Sequence, residues 1–173
     1  MKAKNFAERV LKVNHAGEHG AVNIYAAQIF VARWTAPSIV PTLQAFKVHE
    51  ASHRSIFWEE LQRRGSSRCR SYGLCGVGGF ALGSITALFG LQAIAATTAA
   101  VERVVLGHLK HQIHLLDGQD DAAVAAIAKI VADEEQHLEQ SAVHLAPGQF
   151  WPKVLTPVVA ASTQTVIWLG MRL

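Results

Sequence analysis

Apolar residues recur along this chain at intervals of three and four, and no stretch alternates with period two, so the pattern predicts helix nearly throughout. A first helix is expected from about Asn5 to Trp34, with Val10, Val13, Ala16, Ala21, Ile24 and Tyr25 on its inward face. Thr35-Ala36-Pro37 and Pro41 punctuate its end. A second, about Pro41 to Arg64, carries Leu43, Phe46, Glu50, His53, Phe57 and Leu61 on one stripe, and Gly65-Ser66-Ser67 stops it. From Ser71 to Val101 no residue is charged. That run is long enough to span a membrane, yet glycines from Gly73 to Gly90 interrupt it. The expected reading is a short apolar helix, about Gly79 to Phe89, turning at Gly90 into a fourth helix of about Leu91 to Leu116. Asp117 to Asp121 reads as a loop, with Asp121 capping a fifth helix of about Ala122 to Leu145. Pro147 and Gly148 break the chain, and a last helix is expected from Thr156, with Pro157 in its first turn, to about Met171.

Several positions on these stripes hold ionisable side chains. Glu18 is followed by Glu50-Ala51-Ser52-His53, and Glu102 by Glu134-Glu135-Gln136-His137. The interval from the lone Glu to the Glu of the pair is 32 residues in both halves, and the two arrangements are offset by 84. A single Glu-x-x-His is weak evidence, since the two residues share a face on many solvated helices. The same arrangement twice, on four helices, supplies four carboxylates and two imidazoles, the donor set of ferritin-like di-iron bundles. Burying four carboxylates unpartnered would cost several kcal/mol per ion, on the order of the penalty for any buried charge. Two divalent ions balance them. Mixed carboxylate and imidazole ligation without thiolate suits iron or manganese rather than structural zinc.

The candidate metal ligands are therefore Glu18, Glu50, His53, Glu102, Glu134 and His137, holding two divalent metal ions per chain. His15, Tyr25 and His108 are candidates for the layer behind them or the pocket edge, with core packing or solvent exposure as the ordinary alternatives. The fold expected is all-α, a ferritin-like four-helix bundle with two additional apolar helices. One domain over residues 1–173 is expected, with a possible internal duplication whose halves are about 1–90 and 91–173.

Composition adds a surface. Half of the 173 residues are hydrophobic and 17% are charged, against about 25% in ordinary soluble domains. So little charge implies a partner or a membrane face. The net charge of +3 comes from scattered basic residues, which argues against nucleic acid. Met1 to Asn14 has no apolar core of a signal peptide. Cys69 and Cys75 fit neither a zinc ribbon nor a redox Cys-x-x-Cys, and read as free thiols. Gly76-x-Gly78-x-x-Ala81 lacks the preceding strand of a dinucleotide fingerprint, so electrons must come from an external reductant.

Asn14-His15-Ala16-Gly17-Glu18-His19-Gly20-Ala21, with Ile24-Tyr25-Ala26, resembles the first-ligand motif of the demethoxyubiquinone hydroxylases. Gly79-Phe80-Ala81-Leu82-Gly83 with Thr86-Ala87 and Gly90 resembles their apolar central segment. Val101-Glu102 with His108, Asp133-Glu134-Glu135 with His137, and the apolar last helix continue the likeness, which departs at Ser67 to Gly73. The resemblance implies a non-haem di-iron monooxygenase of ubiquinone biosynthesis, with two iron ions per chain on those six ligands. Its substrate would be the polyprenyl benzoquinol 2-polyprenyl-3-methyl-6-methoxy-1,4-benzoquinol, with O2 as co-substrate and NADH or quinol as reductant. It also implies a monotopic, peripheral protein on the cytoplasmic face of a bacterial cell membrane, with a homo-oligomer or an accessory protein as further partners. The same residues leave open a ferritin-like iron oxidase or storage protein, or a non-catalytic quinone-binding protein of the membrane surface.

Overall fold

The computed structural model describes residues 3–146 and 148–172, and every regular element among them is helical. In chain order these are α1 (Ala3–Thr35), a 3₁₀ turn (Pro37–Ile39), α2 (Val40–Arg63), α3 (Tyr72–Leu88), α4 (Leu91–Leu116), α5 (Asp121–Ala142) and α6 (Phe150–Gly170). The bundle is built by α1, α2, α4 and α5. Contacts such as Asn14 with Gln112 and Tyr25 with Glu102 set α4 antiparallel to α1. Arg64 with Asp120 and His49 with His137 do the same for α5 against α2. The stripe predicted on α2 is the buried one: Leu43, Phe46, Glu50, His53, Phe57 and Leu61.

The interior is layered. Leu11, Phe57, Leu61, Leu109, Ile127 and Ile130 fill one end of the bundle, and Tyr25, Ile29, Leu43, Phe46 and Ile94 fill the other. The ionisable residues of the repeated motif lie in the section between, where apolar side chains above and below exclude water. Loops reinforce the frame. Arg64 donates to both carboxylate oxygens of Asp120 at 2.7 and 2.8 Å, and Asp120 also accepts from Ala123 N, so one carboxylate ties the end of α2 to the start of α5. Asp120, rather than the expected Asp121, is thus the cap of α5.

Two boundaries differ from the sequence expectation, each for a tertiary reason. α3 begins at Tyr72, not Gly79, and carries Gly73, Gly76, Gly78, Gly79 and Gly83 inside the helix. Glycine disfavours a helix by about 1 kcal/mol per residue relative to alanine, so a local reading makes these residues a turn. Here α3 runs parallel to α1 at close range. A Cβ on Gly79 would collide with the backbone of Gly20, and one on Gly83 with the backbone of Ile24. Only Gly90 fulfils the turn role, at φ 79°. α6 begins at Phe150, not Thr156, so Pro157 lies within the helix. Pro152 falls in the first turn, where no intrahelical N–H bond is lost. Pro147, expected to break the chain here, lies outside the described residues.

α6 runs parallel to α4, with Val159 packed against Ala100 and Val101. Each hairpin of the bundle therefore has an apolar helix laid parallel to its first member. Their outer sides are bare: Leu74, Val77, Phe80 and Leu88 on α3, and Val158, Val166, Trp168 and Leu169 on α6, are exposed. Phe89 at the end of α3 stacks on Trp151 of α6 at 4.2 Å, so the two helices border one another. No described helix is long and apolar enough to cross a membrane.

Candidate metal centre

On an α-helix, residues three apart project from one face, so each Glu-x-x-His delivers its carboxylate and imidazole together. Glu50 and His53 enter from α2, Glu134 and His137 from α5, Glu18 from α1 and Glu102 from α4; all six are buried. Their donor atoms form two groups, each within 4.8 Å: Glu18, Glu50, His53 and Glu134 in one, Glu50, Glu102, Glu134 and His137 in the other. Glu50 and Glu134 belong to both groups. The repeat is thus interlocked, since each paired Glu reaches the His of the opposite helix. His53 Nδ1 lies 3.1 Å from Glu134 Oε1 and 3.8 Å from Glu50. His137 Nδ1 lies 3.1 Å from Glu50 Oε1 and 3.6 Å from Glu134.

The protonation pattern follows from burying this much acid. Burial, then the neighbouring carboxylates, raises Glu18 and Glu102 well above the usual carboxylate range. Burial alone would depress the histidines, but the hydrogen bond between His53 and Glu134 and the nearby carboxylates of Glu134 and Glu50 overcome it, lifting His53 to about 10 and His137 to about 9. Burial pushes Glu50 up, and the close approach of the His137 and His53 rings outweighs that and holds it below the usual range. In this state protons supply the positive charge that the buried carboxylates need.

The residues fit a metal pair on their own geometry. His137 Nδ1, Glu50 Oε1 and Glu134 Oε2 are buried without a hydrogen-bond partner. The His137–Glu50 approach of 3.1 Å is close enough for an ion pair, yet poorly aligned for a hydrogen bond. Buried polar atoms are rarely left unpaired, and three sharing one space are the lone pairs that cations would take up. Oxygen and imidazole donors, with no sulfur, suit iron or manganese.

The surrounding layer is asymmetric. Tyr25, held protonated by burial and by the charge of Glu102, donates its hydroxyl to Glu102 Oε1. Phe46 lies 4.2 Å from the His137 ring and 5.6 Å from Tyr25, giving that end an apolar wall. On the outward side, His53 Nε2 meets Asp133 Oδ2 at 3.0 Å, and His137 Nε2 meets His49 Nδ1 at 3.1 Å. Neither Asp133 nor His49 is a site candidate from sequence. The available signal was positional: each immediately precedes the Glu of a pair, and they are 84 residues apart like the pairs themselves.

Of the residues expected near the ligands, Tyr25 touches one of them directly. His15 is buried, but its ring lies stacked between Trp58 and Tyr72, and it bonds to no member of the cluster. His19 stacks on Tyr72 at 4.0 Å and meets Arg54 at 3.3 Å. His108 is half-buried near His111 on α4, with no hydrogen bond to the cluster. Glu135 turns outward to Lys110 at 2.7 Å. The divergent segment from Ser67 to Gly73 supplies part of this packing, since Arg68 lies over both Trp58 and Tyr72 at 4.8 Å.

Fold and donors together define a helical bundle built around a buried carboxylate and imidazole cluster suited to two metal ions. The family model described as ubiquinone biosynthesis protein COQ7 matches residues 5–170, and the chain belongs to that family. It is similar to the NADPH-dependent 3-demethoxyubiquinone 3-hydroxylase, mitochondrial, of Dictyostelium discoideum, 33% identical across 98% of this chain and 78% of that protein. The human protein of the same name is 33% identical across 96% and 77%. The 3-demethoxyubiquinol 3-hydroxylase of Rhodospirillum rubrum is 32% identical across 95% and 77%.

Proposed function

We propose that this chain is a di-iron monooxygenase that hydroxylates the demethoxyubiquinol ring in ubiquinone biosynthesis. The observation that carries the reading is the interlocked pair of buried donor groups sharing Glu50 and Glu134, in a chain whose relatives bear the name of that hydroxylation. Glu18 and His53 would hold one iron, Glu102 and His137 the other, with Glu50 and Glu134 common to both. When bound, the reduced iron pair supplies the redox chemistry for dioxygen activation. One oxygen atom enters the ring at the vacant carbon in place of hydrogen and the other leaves as water, which requires two electrons and two protons. A nicotinamide nucleotide or a quinol is the external reductant.

The protein's own part is to keep the site dry and charged in the right places. The apolar layers of Leu11 and Phe57 on one side, and of Leu43 and Phe46 on the other, exclude water from the cluster. Tyr25 holds Glu102 through its hydroxyl. The exposed apolar sides of α3 and α6 support a peripheral seat on a lipid surface, from which a polyprenyl tail need not cross water. The parallel placement of α3 on α1 and α6 on α4, with the 84-residue offset, supports an origin by internal duplication within a single domain. Membership of this family sets aside the iron-storage alternative.

The test is direct. Anaerobically reconstituted protein should hold about two irons per chain, as the donor set requires. Given reductant, O2 and a short-tailed demethoxyquinol, it should yield product 16 mass units heavier, with label from 18O2. Protein that binds two irons but gives no labelled product under these conditions would refute the hydroxylase reading.

A further inference from the structure

The inner donors repeat, but the groups behind them do not. His53 and His137 both turn Nδ1 toward the carboxylates and Nε2 outward. Behind His53 stands a carboxylate, Asp133, at 3.0 Å. Behind His137 stands another imidazole, His49, at 3.1 Å, with the two rings stacked at 5.3 Å and 13°. A carboxylate accepting the outer N–H makes an imidazole a stronger ligand and fixes its tautomer, and such partners alter metal affinity by about 10–100-fold. A neutral imidazole acceptor does this less. It also has to present a bare Nδ1, so His49 must carry its own proton on Nε2 before His137 can offer Nδ1 to a metal. The lone glutamates add to the contrast. Tyr25 donates to Glu102 and draws charge away from it, while among the described residues no hydroxyl donates to Glu18.

We infer that the two metal positions are unequal: the one at Glu18 and His53 fills first and holds its ion tightly, while the one at Glu102 and His137 is weaker and exchangeable, with His49 setting the difference. This rests on the two-metal reading above. His49 is a positioning residue, acting only through His137. The donors inside are equal, and of the two differences outside, the contrast of His49 with Asp133 acts on the imidazoles and Tyr25 acts on Glu102. Exchanging His49 for a carboxylate should therefore narrow the gap.

Metal-free protein titrated with Mn2+ by calorimetry, under nitrogen, should bind in two steps separated by about 10–100-fold in affinity. His49→Asp should strengthen the weaker step and draw the two together. Asp133→Asn should weaken the tighter step, with unchanged helical circular dichroism. Manganese electron spin resonance at one equivalent should show an isolated ion in the native protein, giving way to a coupled pair only as the second equivalent enters. Two ions bound with one affinity, or a His49→Asp protein in which the steps stay as far apart, would overturn the inference while leaving the two-metal reading intact. Failure to bind any ion would overturn both.

Discussion

Removing the metals should load the cluster with protons, and the number can be worked out from the structure. His53 at about 10 and His137 at about 9 both hold an extra proton at pH 7. Burial and neighbouring carboxylates raise Glu18 and Glu102 well above the usual carboxylate range, which adds to the proton load. Ligation requires neutral imidazoles and ionised carboxylates, so filling the site with two divalent ions should expel at least about two protons, those of His53 and His137. Each proton makes binding more favourable by about 1.4 kcal/mol per pH unit, so overall binding should gain at least about 3 kcal/mol per unit near neutrality. The measurement is calorimetric titration of Mn2+ into metal-free protein in buffers of different ionisation enthalpy, whose slope counts protons directly. Release of fewer than two protons at pH 7 would refute the reasoning, because the empty cluster would then be held by something other than its own protons. The same groups set stability in the metal-free state. A raised imidazole contributes stability that is full below pH 6.5 and is lost as pH rises through 9 to 10. A raised carboxyl costs stability above about pH 4.5, where the unfolded chain has released the proton and the folded one has not. Both act in one direction, so the melting temperature of metal-free protein should fall between pH 5 and pH 9.

Glu102→Gln retains volume and the contact with Tyr25 but removes one compensating charge; loss of at least one metal and of hydroxylation is expected, with unchanged circular dichroism, and full activity would take Glu102 out of the ligand set. Gly83→Ala should cost about 1–3 kcal/mol, because the new methyl strikes the Ile24 backbone and must push α3 off α1; an unchanged melting temperature would mean the helices separate freely. Asp120→Ala removes the cap of α5 and both Arg64 hydrogen bonds, and should cost about 2–4 kcal/mol by denaturant unfolding from the cap and the charged pair together. Aspartates at Phe80 and Leu88, both exposed on α3, should weaken binding to anionic vesicles and slow turnover of long-tailed substrate while sparing a short-tailed analogue. Equal loss of both activities with metal still bound would assign that face to another role.

The sequence by itself determined the helices of the bundle and the six candidate ligands, because both are written in local periodicity. A residue on the buried stripe of α2 is apolar or is Glu50 or His53, and the 32-residue interval repeats that exception in the second half. Family membership was legible for a related reason, since the motif around Glu18 is contiguous. What the tertiary structure decided concerns residues whose role depends on what lies across a gap. Glycines inside α3 break a helix considered alone and permit one laid against the backbone of α1. Pro157 reads as a first-turn residue until α6 is seen to begin at Phe150. His15 precedes Glu18 by one turn, yet faces Trp58 and Tyr72 rather than the cluster. Asp133 and His49 lie one residue before a paired Glu, about 100° around the helix, and no pattern along one strand of sequence says what that direction meets. Only the antiparallel docking of α2 on α5 brings each to the outer nitrogen of the opposite histidine. Periodicity specifies which way a side chain points; helix packing specifies what it finds there.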